Sequence, residues 1–503
     1  MIRVTTRWMP VAILALGLVS CKAPDGGGRT VLLEAPQDPT ITFKVWFQVG
    51  SQDDPPGKEG LANLTATLIS DGSTETHSID EIMDKLYPMA AGYGVDVDRE
   101  MTVLSGRTHR DNLEEYFPLL IDAYLRPAFK QEDFDRLRTD QLNYLENSLR
   151  NDSDEELAKA ALYSFIFEGT RYAHPIEGTV AGLRSITLDD VKKFFAGHYT
   201  RANATIALGG DFDRALVARF RETISGLPEG QPAKAPLPEV PPIGGRQVLL
   251  VDKPDADASI SMGFPIDVRR GEREYYALWL ANSWFGEHRN SSSHLYQVIR
   301  EARGMNYGDY SYIEAFPNGG RRSMPPNHVG RRKQIFEIWI RTLPNEQAHF
   351  ALRAALRELE LLVDNGLTAE QFELTRSFLG KYNLHFADNT STRLGYAVDD
   401  RFYGIDGEGH LARFRKIMAE LTLEEVNAAI RKHLQYDRIK IAMVTGDAAG
   451  LASALAAETP SPMKYGSDKP REILDEDKRI AEFRIGVVGE TIPVIPADQI
   501  FAK

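Results

Sequence analysis

With 503 residues, 43% of them apolar and 26% charged, the chain has enough length for two cores of about 200 residues each and too ordinary a composition for wholesale disorder. A formal net charge of −13 argues against a nucleic-acid surface, which needs local positive charge to meet phosphates. The single cysteine, Cys21, leaves no disulfide within the chain, so packing must supply the stability.

Residues 1–20 read as a signal peptide. Arg3 and Arg7 form its basic start, and Trp8 to Val19 form an apolar stretch too short to span a bilayer stably. The stretch ends Leu18-Val19-Ser20-Cys21, which resembles a bacterial lipobox and makes Cys21 the expected lipid attachment. Lys22 follows rather than Asp, as in lipoproteins sent to the outer membrane. The expected location is the bacterial envelope, lipid-anchored at the outer membrane and facing the periplasm. Residues 21–38, with the run APDGGG, are expected to be a tether.

A first domain is expected over 39–226. Ile41 to Val49 (ITFKVWFQV) alternates and predicts a half-buried strand. The polar turn SQDDPPGKEG leads into a predicted helix over Leu61–Ile69, and helical patterns run from Asn112 to Phe167 with a break at Pro127. Residues 227–245 hold six prolines and predict a stiff linker. A second domain over 246–458 follows: a strand at Ser259–Phe264, an apolar helix at Glu274–Phe285, an amphipathic segment at Leu295–Arg303 and a charged-faced helix at Gln347–Val363. Residues 459–503 form a C-terminal extension; its run Ile485–Ile495 suits either an added strand or a clasp on the first domain.

The two domains share an internal repeat. Ile186–Phe212 recurs as Leu421–Ala448, and each copy opens with a Thr answered three residues on by an acid: Thr187 with Asp190, Thr422 with Glu425. That pattern is a helix-start capping box. Leu188, Val191, Phe195 and Tyr199 match Leu423, Val426, Ile430 and Leu434 as one apolar helical stripe, followed in both copies by a turn, a β-rich run and a Gly-Asp stop. Helix, turn, strand and stop in the same order predict a duplicated α/β unit.

The words VGSQDDPPGKEGLANLTATLISDGS, YLRPAFKQEDFDRLR, YAHPIEGTVAGLRSITLDDVKKFFAGHYTRANATIALGGDF and HLYQVIREARGMNYGDYSY, in that order, resemble the insulinase/pitrilysin metallopeptidases, including the mitochondrial processing peptidases. The resemblance runs from about residue 40 to 450. It implies an α+β fold of two tandem homologous α/β rolls, antiparallel sheets covered by helices, forming half a clamshell. Active members carry His-x-x-Glu-His on the helix after the glycine turn and a third ligand, a Glu, on a later helix. Two His one helical turn apart hold Zn²⁺ while the Glu between them acts as general base. Here those positions are Asn63, Ala66 and Thr67, with the third at or near Tyr144, so every ligand and the base are missing.

Nothing nearby replaces them on paper. Asp71, Glu75 and His77 fall in a predicted loop, and Glu146 alone does not make a zinc site. His288 and His294 bracket a polar loop and are expected to be solvated, while His109, His174 and His198 read as structural. Ser291 to Ser293 lack the strand-to-helix elbow of a nucleophilic serine. Arg321-Arg322 and Arg331-Arg332-Lys333 are expected to lie on a solvated loop, and Trp46 and Trp339 read as packing residues.

What the resemblance does preserve is a pair. Arg300 and Tyr307 in IREARGMNY match the Arg and Tyr that the family's second domain lends to substrate binding, holding the peptide backbone and the developing oxyanion. Spacing alone equally suits Arg300 pairing with Glu301 and Tyr307 packing a strand edge. The resemblance thus implies a non-catalytic, substrate-binding subunit of a heterodimeric envelope zinc metallopeptidase, acting only with a partner. No cofactor is expected in this chain; zinc is expected in a homologous partner that keeps His-x-x-Glu-His. The expected partners are that homologue, a peptide and a membrane reached through Cys21, with no nucleic acid. The alternative is a scaffold that keeps the fold without a proteolytic role.

Overall fold

A computed structural model describes residues 29–232, 234–489 and 491–503; the expected signal peptide and Cys21 lie outside these residues. Two sheets carry the fold. The first contains β1 (Thr30–Glu34), β2 (Thr40–Phe47), β3 (Gly92–Val97), β4 (Thr102–His109) and β5 (Ala204–Gly210), in the order β1-β5-β2-β4-β3. The second contains β6 (Gln247–Asp252), β7 (Ala258–Ile266), β8 (Asp309–Tyr312), β9 (Gln334–Leu343), β10 (Lys440–Thr445) and β11 (Val494–Pro496), in the order β11-β6-β10-β7-β9-β8. With β11 set aside, the second order repeats the first strand for strand. The repeated helices, Leu188–His198 and Leu423–His433, both carry complete capping boxes from the Thr and acid pairs read in the sequence.

Two expectations need correcting. Residues 30–34 are strand rather than tether: Val31 and Leu33 are buried, and Thr30–Glu34 pairs in register with Ile206–Gly210. The first unit therefore starts before residue 39. Nor are the sheets wholly antiparallel, since β1 runs parallel to β5, β6 to β10, and β11 to β6. Each unit's first strand sits beside its last and runs in the same direction.

β2 was expected to bury one face, yet Thr42 and Lys44 on its other face are buried too. The neighbouring unit covers them. Helix Thr390–Tyr403 of the second unit lies against β1, β2 and β5, while helix Asp154–Ile166 of the first lies against β7, β9 and β10. Under the first of these helices, Leu394 and Val398 join Val31, Leu33, Met101, Val103 and Ala207 in an aliphatic cluster. Under the second, Lys159 donates to the Phe316 carbonyl at 2.7 Å and lies 4.7 Å from the centre of the Trp339 ring.

Charges lock the same boundary. Arg331, 4% exposed, donates from Nε and Nη2 to Asp98 at 2.9 and 2.6 Å, and the Arg332 amide donates to Glu100 at 2.7 Å. Of the expected solvated loop, Arg321 and Arg322 are exposed, whereas Arg331 and Arg332 form an interdomain seam, because opposite charges some 230 residues away in sequence face them across the boundary. Of the two alternatives read for the run Ile485–Ile495, its end adds a strand, and the clasp on the first domain is made further on, by residues 500–502. Strand β11 extends the second sheet, while the Phe501 and Ala502 carbonyls accept from the amides of Val180 and Ala181 at 3.0 Å each, and Ile500 accepts from Arg150 Nε at 2.9 Å. Between the units, the described residues of 227–245 form no helix or strand.

Candidate functional site

The helix that carries the motif positions, Leu61–Asp71, is set by its entry turn. Gly60 caps it at φ +104°, and a Cβ there would stand 2.5 Å from the Glu177 carbonyl, so a side chain is excluded. Asp54, fully buried, accepts from the amides of Gly60 and Ala62, each at 2.7 Å, which satisfies two of the free donors at the helix start. Burial pushes the Asp54 carboxyl well above its usual range, against the pull of those two amides.

Asn63 and Thr67 share a helix face, one turn apart, but the Thr67 hydroxyl donates back to the Asn63 carbonyl at 2.8 Å. Ala66 is fully buried. Tyr144 opens a π-helical turn, Tyr144–Leu149, and its phenol is held protonated by burial and by the Glu177 and Glu156 carboxylates beside it. An amide, a methyl group, a hydroxyl turned to its own helix and a protonated phenol do not fit Zn²⁺, which takes thiolate, imidazole or carboxylate. Among the described residues, no group of three or more His, Cys, Asp or Glu is arranged to hold a metal ion.

Two of the four motif positions still face a common space. Asn63 and Tyr144 line a cavity of about 300 Å³ between the units, whose walls also include Glu177 and the end of β3, with Phe316, Arg331 and Glu337 from the second unit. Ala66 and Thr67 do not line it. The near substitutes are engaged elsewhere: Glu146 pairs with Arg184 at 3.1 Å, Asp71 accepts from the Ser70 hydroxyl at 2.9 Å, and His77 Nδ1 meets the Thr76 hydroxyl at 2.7 Å.

His288 is not the solvated loop residue expected. It is 5% exposed, bonds the Tyr312 hydroxyl at 2.8 Å and lies 4.4 Å from the Phe316 ring; burial lowers its pKa to about 4. His294 stacks on Trp284 and bonds Glu358 at 2.7 Å, so the two histidines have separate partners.

Arg300 and Tyr307 stand apart from the cavity, among neither of its walls. Arg300 pairs with Glu301 at 3.1 Å, sits 5.7 Å from the Tyr296 ring centre, and keeps about a third of its side chain exposed (35%). Nearby Asp309 is pushed up to about 8 by burial, with Asn306 and the Arg300 charge drawing it back. Tyr307 is 78% exposed, two residues before the edge strand β8.

Sequence reasoning passed over the seam of Asp98 and Glu100 with Arg331 and Arg332, and the cavity glutamates Glu156, Glu177 and Glu337. A signal existed for one of them. Glu337 is a lone acid within the apolar strand QIFEIWI, a placement that buries it.

Known proteins agree with this architecture. Residues 29–180 match a family model described as Insulinase (Peptidase family M16), and residues 185–379 match one described as Peptidase M16 inactive domain. A Streptomyces coelicolor protein named as an uncharacterized zinc protease is 24% identical over 362 residues, covering 71% of this chain and 74% of the relative. A Helicobacter pylori protein named non-peptidase homolog is 22% identical over 409 residues, covering 79% and 87%. Among solved structures, a Pseudomonas fluorescens protein described as peptidase M16 inactive domain superposes with a TM-score of 0.72 at 24% identity, covering 82% of this chain and 94% of that one. A Helicobacter pylori protease superposes with a TM-score of 0.71 at 16% identity, covering 82% and 96%. The two family models together cover the first unit and the first part of the second, and the chain belongs to the insulinase (M16) peptidase family.

Proposed function

We propose that this chain is a non-catalytic, substrate-binding subunit of a heterodimeric zinc metallopeptidase of the bacterial envelope. The cut is made by a homologous partner that keeps the metal motif. The observation that carries the reading is the substitution of all four motif positions, Asn63, Ala66, Thr67 and Tyr144, in a chain that retains the cavity beside them. The names of relatives point both ways: the Helicobacter pylori protein is called a non-peptidase homolog, the Streptomyces coelicolor protein a zinc protease. The residues at those positions support the first name, because they supply neither zinc ligands nor a general base.

What remains is binding. β3 is an edge strand beside the cavity, and Gly92 and Gly94 face open space where a Cβ would stand. An extended peptide adds to such an edge through backbone hydrogen bonds, so shape is read more than sequence. Arg300 and Tyr307, partly and largely exposed, would reach the peptide backbone in the chamber formed with the partner. Lipidated Cys21 would hold the pair at the outer membrane.

The test is cleavage of a quenched peptide library by the chain purified with its native companions. Chelator-sensitive activity that follows a co-purified zinc-motif chain, and is absent from the recombinant chain alone, is the expected result. Turnover by the lone recombinant chain would refute the reading. The pairing of Arg300 with Glu301 favours one other reading, a scaffold. Arg300→Ala with Tyr307→Phe should abolish activity in a reconstituted pair; full activity with intact assembly would establish the scaffold instead.

A further inference from the structure

The interdomain cavity contains buried carboxylates that the fold answers only in part: the Lys159 and Arg331 charges and the Ser261 hydroxyl draw on Glu337, but none makes a well-formed hydrogen bond to it. Glu337 is 1% exposed, and neither Oε1 nor Oε2 has a hydrogen-bond partner. Glu156, on the crossing helix, lines the same cavity with its Oε1 buried and unpartnered, and Glu177 lines it from the loop beside Gly178. Burying a carboxylate without a close partner costs several kcal/mol or more, so burial pushes Glu337 and Glu177 above their usual range, and a cation brought between these acids would recover that cost.

The cations already present are engaged. Arg331 is held by Asp98 through two nitrogens, Lys159 by the Phe316 carbonyl and the face of Trp339, and Arg99 by the His174 carbonyl. Arg322, the remaining cation on the walls, is exposed. A metal ion does not suit the space, since the glutamates are not grouped as ligands. The walls are instead part aromatic and part aliphatic, with Tyr144, Tyr163, Phe316, Leu149 and Ala160 among them. Carboxylates set among rings and methyl groups match a cation on a carbon chain, its charge met by the acids and ring faces and its methylenes by the apolar wall.

We propose that this cavity binds an organic cation, a primary alkylammonium whose N–H groups donate to Glu337 and Glu156. The charge comes either from a lysine side chain of a peptide or from a free diamine. A site that the family builds around a metal would thus keep its demand for positive charge after losing the metal ligands. The inference goes beyond the paired-subunit reading and needs no partner chain, so either can fail while the other stands.

The experiment is isothermal titration calorimetry on the full chain with three probes: 1,5-diaminopentane, a short N-acetylated and amidated peptide with one central lysine, and the same peptide with norleucine. At least one cationic probe should bind, and which one binds identifies the source of the ammonium. The norleucine peptide should not bind, and Glu337→Gln should weaken binding at least tenfold. Glu156→Gln, on a partly exposed helix position, should do the same and serves if the first variant fails to fold. The proposal is overturned if neither cationic probe binds the folded chain, if norleucine binds as well as lysine, or if folded glutamine variants bind undiminished.

Discussion

The two crossing helices occupy equivalent places in the duplicated chain, yet they close their sheets differently. Thr390–Tyr403 seals the first sheet with an aliphatic cluster in which Leu394, Val398, Met101 and Val103 are all but fully buried. Asp154–Ile166 shares an aliphatic cluster with Val251, Ala442 and Val444 of the second sheet but adds charge and aromatic rings, and the cavity opens along it between Glu156, Lys159 and Tyr163. Duplication supplied the same backbone twice. One copy of the contact became packing, and the other kept a polar space beside the altered motif.

Five substitutions break or sharpen that contrast. The largest effect is expected at the seam between the two contacts. Arg331→Ala leaves Asp98 buried without its bidentate partner and should cost about 4 kcal/mol in chemical denaturation. A cost below about 1 kcal/mol would mean that the ion pair contributes little to holding the units together. On the aliphatic side, Leu394→Ala removes a fully buried side chain and should cost about 3 kcal/mol, with no effect on ligand binding in the cavity.

On the aromatic side the signature is pH. Burial raises the Glu287 carboxyl from 4.5 to about 7. A carboxyl raised by folding favours the protonated native state, so its contribution is fully present below the unfolded pKa and is lost as pH rises through the folded value. Between pH 5 and pH 7 that loss is roughly 2 kcal/mol. Glu287→Gln should flatten the stability profile across this window by a similar amount, and an unchanged slope would remove Glu287 as its source. The smallest effects test the duplication itself. Thr187→Ala and Thr422→Ala each delete one capping bond and should cost about 1 kcal/mol each, equal within a few tenths; unequal costs would show that the two copies carry their helices differently.

The repeat, its caps and the two-unit α+β plan were legible because each rests on local chemistry. A capping box spans three residues, and an amphipathic stripe shows its own period. The strand at Thr30–Glu34 was hidden by its short length beside a glycine run, and its pairing with β5 lies beyond any local signal. His288 looked solvated because its neighbours in sequence are polar, whereas its neighbours in space are Tyr310, Tyr312 and Phe316.

By itself, then, the amino-acid sequence determined what each segment prefers: helix starts, strand faces and a family. Only the tertiary structure decided which charges meet. Asp98 and Arg331 are 233 residues apart, and Glu156 and Glu337 come from different units. Whether a charged side chain is solvated, locked or left waiting for a ligand depends on what the other unit places opposite it. That is a property of packing between distant segments, which no local pattern encodes.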